Sequence, residues 1–279
     1  MKKTAWLSIA TAVVVTTAYA SDSEVNIDQD HGTVSAKAKA MHVIHDKNNG
    51  YTPNDGSGYL FQLNYKSPDL LTKNLKIGIG MYVNGDTGLT EWDKPGDKKP
   101  ARGMFVAPRG KETAQLGEAY LSYKQKEGVR LKLGRQILNT PMTKIKWSLM
   151  PTFYEAYGIG SEAVKDLSLD LMQITRISYG SRTVADWKLI GESTGTAGAP
   201  NVLEEKGGTG QARFISIRDV AGVDSSAGFS ALGATYKGVK GLKVTAWNYY
   251  GDNIVNNFYA DAVYKLPLSE SMKMKLSAQ

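Results

Sequence analysis

The sequence predicts an all-β protein, a transmembrane antiparallel up-and-down β-barrel behind a signal peptide, and three observations predict it. The first twenty residues carry the parts of an export signal, the rest alternates apolar and polar residues, and the connections alternate short and long.

Met1-Lys2-Lys3 gives a basic start, Ala5 to Val15 a short apolar stretch, and Ala18-Tyr19-Ala20 an A-x-A cleavage site. Together these read as a secretory signal. The apolar stretch is too short for a permanent membrane helix, which needs about 20 residues. Residues 1–20 are therefore assigned to a Sec-type signal peptide, and residues 21–279 to one domain that leaves the cytoplasm. The formal charge of +7 includes Lys2 and Lys3, which leave with the signal. An exported chain with a remaining positive surplus points to anionic small solutes as partners, not to nucleic acid. Cysteine is absent, which excludes disulfides and thiolate metal sites. The mean hydropathy of −0.32 suits a soluble protein as well as a membrane barrel, since lipid-facing and lumen-facing residues average out.

The period-two signal begins at Val34, Ala36, Ala38 and Ala40, set against Ser35, Lys37 and Lys39. It continues with Tyr59, Phe61, Leu63 and Tyr65 against Gln62, Asn64 and Lys66. Leu75, Ile77, Ile79, Met81 and Val83 then alternate with Lys76, Gly78, Gly80 and Tyr82. Val129, Leu131 and Leu133 oppose Arg130, Lys132 and Gly134, and Leu167, Leu169 and Leu171 oppose Ser168, Asp170 and Met172. Near the end come Leu232, Ala234 and Tyr236, then Leu242, Val244 and Ala246, and finally Met272, Met274 and Leu276.

A soluble β-sandwich also alternates, so the connections decide. Short ones fall near residues 66–73, 125–128, 164–166, 238–241 and 267–270; long ones near 45–56, 84–114, 138–154 and 180–226. Tight turns at one end and long loops at the other are the habit of outer-membrane barrels. The scheme yields about 11 strands of crossing length. Tyr59, Tyr65, Tyr123, Tyr236 and Tyr264, among 15 tyrosines, lie near strand ends on the apolar face, as an aromatic girdle requires. An odd strand number, and an end inside the strand at Leu276-Ser277-Ala278-Gln279, point to the N-terminal part of a longer barrel.

Two runs in this frame carry a resemblance: Leu131-Lys132-Leu133-Gly134-Arg135-Gln136-Ile137-Leu138-Asn139-Thr140-Pro141, and Leu149-Met150-Pro151-Thr152-Phe153-Tyr154-Glu155-Ala156. Lys165-Asp166-Leu167-Ser168-Leu169-Asp170 and Ala246-Trp247-Asn248-Tyr249-Tyr250 add to it. The chain resembles the OprD family of outer-membrane porins. The resemblance implies an 18-stranded monomeric barrel in a Gram-negative outer membrane, built there by the barrel assembly machinery. It implies a third outer loop, about residues 138–154, folded inward to narrow the pore, and a second inward loop beyond Gln279. It also implies a ladder of basic side chains guiding amino acids and small organic acids. The third loop departs from the family's pattern: Lys144, Lys146, Trp147 and Ser148 stand where relatives often carry an Asp and an Arg.

With the apolar side assigned to lipid, the inward cations are Lys37, Lys39, Lys76, Arg130, Lys132, Lys243, Lys273 and Lys275, and the inward acids Glu118, Asp170 and Asp261. Rings of Lys and Arg favour anions because low-dielectric walls concentrate their field. The candidate site is therefore a pore lined by Lys37, Lys39, Lys76, Arg130, Lys132 and Lys243, with Thr143, Lys144, Lys146 and Ser148 in the constricting loop. Arg135 has outward parity, which puts it at the outer rim or turned into the loop. Gly78, Gly80, Gly134 and Gly233 among the inward residues indicate open lumen space.

No cofactor or metal is expected: His42 and His45 would point to opposite faces of a strand. Gly191-Glu192-Ser193-Thr194-Gly195 matches a nucleophile elbow as a string, but no helix signal follows it and every histidine precedes it. Gly207-Gly208-Thr209-Gly210 likewise lacks the setting of a phosphate loop. The chain reads as a porin and not an enzyme; the alternative is a plugged structural or adhesive barrel that binds partners through its outer loops.

Overall fold

The computed structural model describes residues 21–29, 31–45, 54–85, 87–89, 113–125, 128–144, 149–178, 214–267 and 273–279. The signal segment, the 191–195 string and the 207–210 glycines lie outside them. Alternation becomes strand throughout: β1 (Ser21–Gln29), β2 (Gly32–His45), β3 (Asn54–Lys66), β4 (Leu75–Gly85), β5 (Thr113–Lys124), β6 (Val129–Gln136), β7 (Phe153–Ser161) and β8 (Leu167–Ser178). A two-residue β9 (Ile215–Ser216) and a short helix α1 (Ile217–Ala221) precede β10 (Phe229–Tyr236), β11 (Leu242–Gly251), β12 (Val255–Pro267) and β13 (Lys273–Ala278).

All join one antiparallel sheet in the order β1-β2-β3-β4-β5-β6-β7-β8-β10-β11-β12-β13, with β9 paired to β8. Each strand lies beside its sequence neighbour, as an up-and-down sheet demands. The expected strands form, but the expected number near 11 is one too low. The strand missed is β1, whose Ser-Asp-Ser-Glu-Val-Asn-Ile-Asp-Gln offers only Val25 and Ile27 as apolar alternates. Its pairing along β2, from Ser21↔Ala40 to Gln29↔Gly32, supplies what its own pattern lacks.

The register confirms two unlike faces. Phe61, Leu63, Ile79, Met81, Tyr157, Ile159, Leu171 and Leu232 are exposed large apolar residues, whereas their neighbours Leu60, Tyr82, Ala156 and Ala231 are buried. The exposed face is the greasy one, the inverse of a soluble sheet, and it suits lipid. Tyr65 and Tyr236 stand on that face close to the short turns, and Tyr123 and Tyr264 pair there with Leu75 and Leu242. These four lie near the same end of the sheet, whereas Tyr59, paired with Ala40 and Gly85, lies near the other. The short connections share the end of those four. At the other end the links are long, apart from β11–β12, which turns within residues 252–254.

Two register shifts interrupt the ladder, between Gly80 and Met81 of β4 facing β5, and between Glu155 and Ala156 of β7 facing β8. Each is a β-bulge, which re-aims side chains beyond it.

Candidate functional site

The inner face is built around a loop. β6 ends at Gln136, and of the residues that follow, Leu138, Leu149 and Met150 pack onto the inner face before β7 begins at Phe153. Leu149 and Met150, each 2% exposed, pack against Leu60 of β3, Tyr82 of β4 and Phe153 of β7. Tyr82 and Phe153 meet edge to face with centroids 4.6 Å apart. At the loop's start Leu138 joins Tyr154, Ala156, Ile174 and Ile177 in a second cluster. These contacts seat the loop on the wall by apolar burial, since the alternative is exposing these side chains to a wet lumen. Where β6 leaves the wall, the Gln115 side-chain amide of β5 donates to the Ser178 hydroxyl of β8 at 2.7 Å and bridges the gap.

The loop's turn is fixed by its own threonines. The Thr140 amide donates to the Thr143 hydroxyl at 3.0 Å, and the Thr143 and Lys144 amides donate back to the Thr140 carbonyl. Thr143 is thus buried, with its hydroxyl held within the turn. Lys144 is exposed. Lys146 and Ser148 lie outside the described residues.

A second segment also covers the inner face. Ile217 of α1 is buried in the cluster with Leu138, Tyr154 and Ile174, and Phe214 packs against the cluster of Leu60, Tyr82 and Met150. Ser216 caps α1 by accepting from the Asp219 amide at 3.1 Å, and Gly222 ends it in the left-handed region. The Arg135 guanidinium lies 4.4 Å from the Phe214 ring centroid and 4.0 Å from Glu155. Arg135 therefore turns inward, not outward as its parity predicted. The preceding residue, Gly134, holds φ at 117°, and that conformation breaks the simple alternation.

The inward glycines are not empty space. A Cβ on Gly78 would fall inside the Tyr120 ring, one on Gly233 would lie 2.5 Å from the Trp247 indole, and one on Gly160 2.5 Å from the Arg130 Nε. Large side chains lie flat across glycines of neighbouring strands. Trp247 in turn stacks on Tyr249, with centroids 5.6 Å apart. The lumen face is therefore paved by rings and a guanidinium, and the reading of Gly78 and Gly233 as open lumen is corrected.

The basic residues fall in three groups. Lys37 and Lys39 are half-buried on β2, opposite Gln62 and Leu60, and both are engaged with partners. Lys76, Arg130 and Lys132 border one cavity of about 560 Å³, together with Ser122, Lys124 and Asp170. Lys76 and Lys132 sit at one level because both pair with Ser122 of β5. Lys243 stands exposed on β11, in no ion pair among the described residues.

Three of the four cations around the cavity, Lys76, Arg130 and Lys132, are matched by acids. Arg130 bonds Asp170 and Glu162, each at 2.7 Å, and the Ser168 hydroxyl at 3.1 Å. Lys76 lies 3.7 Å from Asp69. The Lys132 ammonium lies 3.8 Å from Glu118 and 3.8 Å from the Tyr120 ring centroid. Asp69 and Glu162, in the short turns, were missing from the sequence reading. The signal was present, since both follow strand ends facing a lysine or arginine, but only the register shows who meets whom.

The model of the outer membrane porin, OprD family, matches residues 72–279. The chain belongs to the OprD family. OprD-family proteins are porins of the Gram-negative outer membrane, not enzymes, and the antiparallel sheet, lipid-suited face and inward loop of this chain agree with that membership. Among solved structures, OccAB1 of Acinetobacter baumannii is similar at 12% identity, covering 88% of this chain and 50% of that one, with a TM-score of 0.58. OpdK of Pseudomonas aeruginosa is similar at 11% identity, 89% and 56% coverage and a TM-score of 0.58. OpdK is also known with vanillate, a structure similar at 12% identity, 85% and 53% coverage and a TM-score of 0.52. The chain thus spans about half the length of these porins. No curated protein matches it by sequence.

Proposed function

We propose that this OprD-family protein gives passive diffusion to small anionic or zwitterionic solutes, carboxylates above all, through a pore lined by Lys37, Lys39, Lys76, Arg130, Lys132 and Lys243. The inward loop of residues 138–154 narrows it. The observation that carries the reading is the cavity bordered by Lys76, Lys124, Arg130 and Lys132 on the inner face. Four cations around one concavity, with Asp170 the one acid in its lining, favour a carboxylate over a cation, because field lines concentrate between low-dielectric walls. The carboxylate vanillate in OpdK supports the solute class by analogy with that protein.

A second reading, a plugged surface barrel, draws on the apolar seats of Leu138, Phe214 and Ile217, which fill part of the inner face from two loops. The reversal potential of the full-length protein in a planar bilayer under a salt gradient tests both. Discrete steps with anion preference are expected. Steps with cation preference overturn the basic wall, and a folded protein that never conducts favours the plugged barrel.

A further inference from the structure

We propose that Glu118 is a positioning residue that limits the anion preference of the wall by holding Lys132 back from the lumen. The inference rests on the porin reading and adds a residue that sets its selectivity.

Glu118 faces inward on β5, opposite Gly80 of β4. A Cβ at Gly80 would come within 3.1 Å of the Glu118 Cβ, so the glycine leaves the carboxylate room beside the wall. One carboxylate oxygen accepts the Tyr82 hydroxyl at 2.6 Å, and the other lies 3.8 Å from the Lys132 ammonium. The carboxylate is the fixed member of that pair: its side chain is 14% exposed against 35% for Lys132. Tyr82, which holds it, is fully buried between Leu60, Phe153 and the loop residues Leu149 and Met150. On its other side Lys132 rests over the Tyr120 ring, itself seated on Gly78.

Two other pairs around the cavity differ, while Arg130 and Asp170 are about as sheltered, at 33% and 30% exposed. Lys76 and Asp69 are both about two-fifths exposed in a short-turn setting, and Glu162 of the Arg130 set is more than half exposed. Such pairs open to solvent and are screened. Glu118 alone among these acids is anchored from behind by a buried hydroxyl. A solute carboxylate passing the cavity must compete with a preorganised carboxylate for the Lys132 ammonium, and the aromatic face opposes release as well. Freeing the ammonium adds a mobile donor to the pore, while removing the acid also deletes a fixed negative charge.

The test is the reversal potential of full-length variants whose folding is checked by heat-modifiable gel mobility. Glu118→Gln keeps the shape and an acceptor for Tyr82, and is expected to raise the anion-to-cation permeability ratio about twofold, from a unit charge acting with opposite sign on anion and cation across roughly 8 Å of screened salt solution. Tyr82→Phe keeps the charge but releases the carboxylate, and is expected to move the ratio the same way by less; it carries the test if Glu118→Gln does not fold. In a Lys132→Met background the Glu118→Gln effect should shrink, because the two residues act together. An equal effect in both backgrounds overturns the positioning role and leaves Glu118 as a lone wall charge. A conducting wild type whose ratio Glu118→Gln leaves unchanged overturns the inference alone, whereas a folded wild type that never conducts overturns the porin reading beneath it.

Discussion

Replacing Leu149 by alanine should loosen the inward loop while leaving the wall intact. Leu149 is 2% exposed and lies in one buried cluster with Leu60, Tyr82, Met150 and Phe153, so it is a fully seated anchor. Truncating a buried leucine to alanine costs about 2–5 kcal/mol, from lost transfer energy and the cavity left behind. The strands on either side of the loop keep their ladders, β6 with β5 and β7 with β8. The loss therefore falls on the local docking of the loop around Leu149 and Met150, as a sub-global opening and not as unfolding of the sheet. At tenfold per 1.4 kcal/mol, even the low end raises the undocked population about 30-fold. Single-channel recording of the full-length variant should show larger mean conductance or flicker between two levels. Leu71→Ala is the matched control, since Leu71 is 95% exposed in a short turn and packs on nothing comparable. Unchanged conductance and noise in a folded Leu149→Ala protein would refute the claim that this loop narrows the pore.

Two further substitutions in adjacent residues separate the faces. Gly78→Ala puts a methyl into the Tyr120 ring and should cost about 1–3 kcal/mol of folding stability as overpacking, with Gly78→Ala/Tyr120→Ala recovering part of the loss in urea-dependent refolding into vesicles. Ile79→Arg, one residue on, places a charge on the exposed apolar face in the middle of β4 and should cost about 2–4 kcal/mol in the same assay if that level meets the hydrocarbon. A tolerated Ile79→Arg would contradict the assignment of that face to lipid.

The strands were legible because period two is a backbone property: each apolar alternate reports the face on which it lies. Where a strand lacked alternates, as in β1, the pattern failed and only pairing with β2 produced it. Arg135 turns inward against its parity because Gly134 takes a positive φ, and no periodicity carries through such a residue. The glycines were misread for another reason. A small residue says that something needs room, and the structure shows the tenants to be the Tyr120 ring at Gly78 and the Trp247 indole at Gly233, both from neighbouring strands. The inward loop entered through resemblance alone. Yet Leu149-Met150 between two loop segments was a local sign, an apolar pair with no strand of its own to bury it. That residues 214–217 would share the loop's clusters was not legible, because it depends on segments far apart in sequence meeting over one face.

Counting inward lysines and arginines gives a wall of bare cations, whereas register turns much of it into pairs. Lys76, Arg130 and Lys132 each face at least one carboxylate, and Arg130 faces two. The field of a close pair decays faster than that of a lone charge and does little to attract an ion from a distance. At contact range the same pairs offer a donor and an acceptor a few ångströms apart, to which a solute bearing both an ammonium and a carboxylate can bind in one orientation. Under the proposed function, long-range anion attraction then falls to cations outside such pairs, with Lys243 the clearest among the described residues, while the cavity beside Lys132 discriminates at short range. Lys243→Met should accordingly lower anion preference in the reversal-potential assay without changing which solutes block the pore. If instead Lys243→Met leaves the preference intact, the attraction resides in the paired wall, and the division of labour argued here fails.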